Sequence, residues 1–109
     1  MIISFAEMEE KALPEFKGGE KQYNVKMFTE GNNKIMQGRL VPGASIGLHT
    51  HVGDCEVIFV TEGTGKVIDD GQEQAVVAGM ALFCPKGHSH TLINDSEADL
   101  CFYAAVIEQ

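Results

Sequence analysis

The chain has 109 residues, 44% of them hydrophobic, with 8 Lys and Arg against 16 Asp and Glu for a formal net charge of -8. That length holds one domain around one core, and an acidic surface with no basic cluster argues against nucleic acid as a partner. No stretch approaches the roughly 20 consecutive apolar residues that cross a bilayer. The three cysteines, Cys55, Cys84 and Cys101, are odd in number and lack CxxC spacing, and no charged segment leads into a long apolar run at the amino terminus. A reduced, cytoplasmic setting and no membrane contact are the expectation.

Short apolar runs separated by turn residues predict an all-β sandwich or barrel. In chain order the strands are expected near residues 2–5, 23–29, 34–41, 46–51, 55–62, 65–69, 73–77, 80–84, 89–94 and 98–107. Residues 6–21 carry Glu, Lys, Pro14 and Gly18-Gly19 with little periodicity, so a surface arm or a short helical turn is expected there. The glycine-bearing segments 61–65 and 69–71 predict two successive hairpins. Pro42-Gly43 and Pro85-Lys86-Gly87 end strands by removing a ladder donor and permitting a sharp redirection.

The run Cys55-Glu56-Val57-Ile58-Phe59-Val60 is apolar on both faces. If Glu56, Ile58 and Val60 point inward, Val57 and Phe59 need a cover from a second sheet, the amino-terminal arm or a partner subunit. A homodimer is therefore expected.

Two runs carry the chemistry. His49 and His51 are two residues apart, so on a strand they share a face about 7 Å apart along its axis. Glu56 follows after a four-residue connection, and His90 arrives after the Pro-Gly bend. Imidazole suits Fe, Zn, Ni and Cu while carboxylate oxygen suits Mn, so three His and one Glu select a divalent transition metal without choosing among these. An octahedral ion would keep two open positions, whereas a tetrahedral zinc would keep none. Asp54 could compete with Glu56 as a ligand.

Ten positions, Gly43, His49, His51, Glu56, Gly63, Gly79, Pro85, Gly87, His90 and Asn94, match the two motifs G(X)5HXH(X)4E(X)6G and G(X)5PXG(X)2H(X)3N without gap or substitution. In this the chain resembles the cupin family, in particular small single-domain members whose motifs lie 15 residues apart as they do here. Spacing of the motif favours Glu56 over Asp54. The resemblance covers residues 43–63 and 79–94, while 1–42 and 95–109 agree only in strand character. It implies one domain over 1–109, with residues 1–22 as an amino-terminal strand and arm. The implied fold is a double-stranded β-helix, or jelly roll, of two antiparallel sheets, with a metal held by His49, His51, Glu56 and His90. Gly43, Gly63, Gly79, Gly87, Pro85 and Asn94 are read as structural, Asn94 capping a turn through its side chain.

Residues that would give such a metal a substrate are less marked. Arg39, the only arginine, shares strand parity with Gln37; pointing inward they could hold a carboxylate or phosphate, pointing outward they are solubilising. His88 could carry protons or line the pocket, or stand exposed in its bend. The cysteines, Tyr23 and Tyr103 read as packing, with Met36 or Met80 as pocket-lining alternatives. A Ser or Cys nucleophile is disfavoured because the histidines are better explained as ligands. Two functions remain in view. One is a metal-dependent isomerase, decarboxylase or dioxygenase acting on a small oxygen-rich molecule such as a sugar derivative or organic acid. The other is a non-catalytic metal-loaded module that binds or senses a small ligand.

Overall fold

The computed structural model describes residues 1–109. Ten strands form two antiparallel sheets: β1 (Lys11–Pro14), β2 (Gln22–Glu30), β3 (Asn33–Leu40), β4 (Ser45–Thr50), β5 (Asp54–Glu62), β6 (Thr64–Asp69), β7 (Gln72–Val77), β8 (Ala81–Cys84), β9 (Ser89–Ile93) and β10 (Leu100–Glu108). One sheet has the order β1-β2-β3-β10-β5-β8 and the other β4-β9-β6-β7. This is the expected jelly roll. No helix is long and apolar enough to cross a membrane.

The core lies between the sheets, built by period-two alternation. Ile58 and Val60 of β5 face Leu100, Phe102, Ala104 and Val106 of β10, and β3 adds Met36 and Leu40. Tyr23 stacks on Phe102 with ring centroids 5.8 Å apart. Glu56 shares the inward parity of Ile58 and Val60, as expected. That parity carries a carboxylate into the barrel.

Two expectations are corrected. No strand forms over residues 2–5; the first strand is β1, inside the segment expected to be an arm, and short 3-10 turns flank it at Phe5–Glu7 and Phe16–Gly18. Ile2 and Ile3 have β-forming side chains but find no ladder partner. Lys11–Pro14 pairs with β2 through Lys11↔Val25 and Leu13↔Tyr23, and Pro14 is tolerated because β1 is an edge strand. The second correction concerns Gly63, which closes no hairpin: β5 and β6 on either side of it belong to different sheets. Asp70 and Gly71, both with positive φ, do close the β6–β7 hairpin as predicted.

Asn94 locks the end of β9 to the rest of the barrel. Its side-chain amide donates to the carbonyls of Leu40 and Ala98, each at 2.8 Å. Its Oδ1 accepts from the Ser96 amide at 2.9 Å and the Ser96 hydroxyl at 2.7 Å. A fully buried amide is thus completely satisfied.

Candidate metal centre

His49 and His90 sit directly opposite each other on β4 and β9. A bulge in β4 between Ile46 and His49 breaks the simple alternation there. His51 lies just beyond the end of β4, and the Pro85–Gly87 bend holds it: the His51 amide donates to the His88 carbonyl at 3.0 Å, and the Gly87 amide donates to the His51 carbonyl at 2.6 Å. Glu56 comes from β5 in the other sheet. The cluster therefore exists only when the two sheets close on each other.

The four donor atoms lie within 4.8 Å of one another. His51 Nε2 is 3.0 Å from His90 Nε2 and 3.2 Å from Glu56 Oε1. His90 Nε2 is 3.1 Å from His49 Nε2 and 2.9 Å from Glu56 Oε1, while His49 Nε2 stands 3.8 Å from Glu56 Oε1.

Tautomers follow from the outer nitrogens. His49 Nδ1 faces the Gly47 carbonyl at 2.7 Å, and His51 Nδ1 faces Asp54 Oδ1 at 2.6 Å. Both oxygens can only accept, so both Nδ1 atoms carry the proton and both Nε2 lone pairs point at the cluster centre. Two lone pairs and a carboxylate aimed at one point call for a cation. Donors about 2.1 Å from a common ion stand about 3.0 Å apart at right angles and about 3.4 Å apart at tetrahedral corners. The four separations of 2.9–3.2 Å match the right-angle arrangement. The residues present therefore fit a divalent transition ion with positions left open.

Electrostatics agree. Burial works to raise the Glu56 carboxyl, but its close contacts with the His49, His51 and His90 imidazoles outweigh it and hold the group well below the usual carboxylate range. His51 is pushed above its ordinary value by the bond to Glu56, and Asp54 adds to this against the cost of burial. Asp54 thus holds the His51 ring from outside the four-residue cluster, a contact the motif does not mark and the His51-x-x-Asp54 spacing could have suggested.

The centre opens into a cleft of about 330 Å³. Leu13, Phe16, Met27, Met36, Ile46 and Val106 supply apolar walls; Lys17 and Lys34 are its basic lining residues, and the Thr50 hydroxyl at its wall is paired with the Ser89 hydroxyl at 2.6 Å. Tyr23 also lines it, yet its hydroxyl is spent on Met36 Sδ at 3.7 Å, and burial, followed by the Glu56 charge, raises its pKa far above the ordinary range. Leu13, Phe16 and Lys17 belong to the segment whose sequence showed no period, and a close backbone approach brings them here. A Cβ on Gly47 would lie 2.0 Å from the Lys17 carbonyl oxygen, and one on Gly19 would lie 2.1 Å from that of Ser45. Only glycines allow this strap to lie on β4.

The other expected pocket residues lie elsewhere. Gln37 donates to the Tyr103 hydroxyl at 2.9 Å on the outer face of the six-stranded sheet. Arg39 pairs with Glu10 at 2.7 Å and Asp99 at 3.2 Å. Met36 and Leu40 set the parity of β3, and they leave Gln37 and Arg39 facing out. The His88 ring is half exposed and paired with Asp70. Met36 does line the cleft, whereas Met80 is exposed and does not. Gly43-Ala44-Ser45-Ile46-Gly47 has the G-x-S-x-G spacing of a hydrolase nucleophile, but Ser45 is a buried strand residue whose Oγ accepts from the Glu20 amide at 2.8 Å. It is no strand-to-helix elbow.

A family model described as a cupin domain matches residues 36–106, a range that contains both motifs and all four donors. The chain belongs to the cupin family. Among curated proteins, this cupin is 28% identical to an oxalate-binding protein of Thermotoga maritima over 113 aligned residues, covering 98% of this chain and 93% of that one. It is 34% identical over 76 residues to the β-alanine degradation protein BauB of Pseudomonas aeruginosa, covering 68% of this chain and 80% of that protein. Among solved structures, a predicted oxalate decarboxylase from Thermotoga maritima superposes over 100% of both chains with a TM-score of 0.93 at 26% identity. A sugar phosphate isomerase of the cupin superfamily from Silicibacter pomeroyi superposes with a TM-score of 0.80 at 21% identity, covering 100% of this cupin and 76% of that chain, a likeness of fold.

Proposed function

We propose that this cupin holds one divalent transition ion on His49, His51, Glu56 and His90 and uses it to bind a small carboxylic acid. The observation that carries this reading is the convergence of the Nε2 lone pairs of His49 and His51 on the buried Glu56 carboxylate. A divalent ion beside one carboxylate leaves a net positive centre, and Lys17 and Lys34 line the same cleft in a chain of net charge -8. A small anion is the natural occupant. The cleft, at the small end of the range for ligand sites, suits a small molecule. Kinship to an oxalate-binding protein along nearly the whole chain supports the same chemistry.

Binding without turnover is favoured by what surrounds the ion. Apart from the donors, the titratable side chains lining the cleft are Asp54, committed to His51; Tyr23, committed to Met36; and the two lysines. None is a free carboxyl or imidazole of the kind that exchanges protons with a reacting carbon. Open positions on the ion favour a second reading, an enzyme in which the metal supplies Lewis-acid or oxygen-activating chemistry and the protein supplies orientation.

Elemental analysis of untagged protein should give close to one transition metal per chain, lost in the doubly substituted H49A/H51A protein. Calorimetric titration with oxalate, malonate and a neutral sugar should give binding only for the acids and only with metal loaded. Binding of the sugar alone would overturn the ligand class, and undiminished metal in H49A/H51A would overturn the site. Saturable turnover of any of these compounds, under air or nitrogen, would establish the second reading.

A further inference from the structure

His49 and His51 each have an oxygen behind the ring: the Gly47 carbonyl at His49 Nδ1 and the Asp54 carboxylate at His51 Nδ1. His90 has none. Its close polar contacts, to His51 at 3.0 Å, His49 at 3.1 Å and Glu56 at 2.9 Å, all run through Nε2. A ligating imidazole almost always gives its other ring proton to a carboxylate, a carbonyl or a water, because that bond fixes the tautomer and the ring plane. The third imidazole of the cluster therefore calls for an acceptor on its Nδ1 side.

One carboxylate oxygen in the molecule calls for a donor. Asp69 Oδ1 is the only buried side-chain nitrogen or oxygen without a hydrogen-bond partner, a condition that costs stability unless a partner is supplied. Strand pairing brings the two groups together. Asp69 of β6 stands directly opposite His90 of β9, and two residues away Val67 stands opposite Leu92. Val67 and Leu92 are both core residues, so by alternation Asp69 and His90 share the inner face. Residues opposite each other on one face have Cβ atoms about 4.5–5.5 Å apart. Cys84, buried opposite Glu56 on β8, supports the placement: burial raises its thiol, and the Asp69 charge comes next among the causes.

We infer that Asp69 is the positioning residue of His90: its Oδ1 and His90 Nδ1–H are joined through one buried water, which keeps the Nε2 lone pair on the cluster centre. A water suits the link because Oδ1 makes no direct bond to the protein, and buried waters are commonly held by polar groups that lack other partners. The assignment rests on the metal reading above. It gives a role to an acid that neither motif marks. Asp69 lines a hollow with Gln72, Gln74, Phe83 and Pro85 that shares no residue with the metal cleft, so a change at Asp69 leaves the cleft walls intact.

Zinc affinity, measured against a chelating indicator, should fall about tenfold in Asp69→Ala and by less than about threefold in Asp69→Asn, whose amide oxygen still accepts from water. Nitrogen NMR of zinc-loaded protein with labelled histidines should show slowly exchanging Nδ1–H signals from all three ligating rings of the parent. Asp69→Ala should lose the His90 signal alone, and Asp69→Asn should keep it. Without metal, Asp69→Ala should melt within a few degrees of the parent, because the cost of a buried carboxylate offsets its bond to water. A purely structural aspartate would give the reverse, a much lower metal-free Tm with zinc affinity intact, and that result overturns the inference. So does an Asp69→Ala protein that retains the slowly exchanging His90 signal. A parent that takes up no zinc overturns the metal reading and this assignment with it, whereas equal binding by parent and Asp69→Ala overturns the assignment alone.

Discussion

Replacing Asp54 with Ala removes the acceptor that holds the His51 ring while leaving all four donors in place. The lost bond is 2.6 Å long and joins an imidazole to a carboxylate whose side chain is 26% exposed. Loss of a ligand's outer partner typically costs about 10- to 100-fold in metal affinity. D54A should therefore bind Zn2+ or Mn2+ about 10- to 100-fold more weakly in competition with a chelating indicator. D54N should fall between it and the parent, because an amide oxygen still accepts but carries no charge. Metal-free D54A should melt within a few degrees of the parent, since a partly exposed pair contributes at most about 1 kcal/mol. An affinity within threefold of the parent would refute the orienting role. A loss as large as that of E56A would refute it from the other side, by making Asp54 a ligand.

The pH behaviour should differ in sign with and without metal. Without metal, His51 is raised above its ordinary 6.5, so its contribution to stability is complete below that pH and fades as pH rises through the raised value. Glu56 is depressed from 4.5, so its contribution holds above that pH and is lost only in stronger acid. Metal binding needs neutral imidazoles, so the metal-induced rise in Tm should grow from pH 6 to 8 while the metal-free Tm falls; parallel trends in a thermal melt series would count against the site. Asn94→Ala leaves the Leu40 and Ala98 carbonyls without their buried partner and should cost about 2–4 kcal/mol in urea unfolding, with a loss under 1 kcal/mol contradicting the account. Gly47→Ala places a methyl against the Lys17 carbonyl and should cost about 1–3 kcal/mol while loosening metal binding through His49, as calorimetry would reveal; an unaffected protein would mean that the strap is not tied to β4.

The jelly roll and the donor set were legible in the chain because both rest on local or strictly spaced signals. Alternation along β5 places Glu56 with Ile58 and Val60, and the Pro-Gly bend places His90. Asp54 escaped because its partner is a ring nitrogen, and ring orientation is not written in strand parity. The strap escaped for another reason: Leu13, Phe16 and Lys17 lie in a stretch with no period, and their position depends on Gly19 and Gly47 meeting from remote parts of the chain. The strand expected at 2–5 failed because β-forming side chains are not enough without an edge to pair with, and β2 offers its edge to Lys11–Pro14.

Sequence alone determined the strand alternation, the family and which four side chains cluster, since these follow from residue type at fixed separation. Tertiary structure alone decided that Asp54 bonds to His51 Nδ1 and stands outside the four-residue cluster, that Gln37, Arg39 and His88 turn away from the cleft, and that Lys17 and Lys34 line it. Spacing along a chain fixes which face a side chain takes within its own strand. Which face looks into the barrel, and what lies across from it, is settled only when the two sheets close.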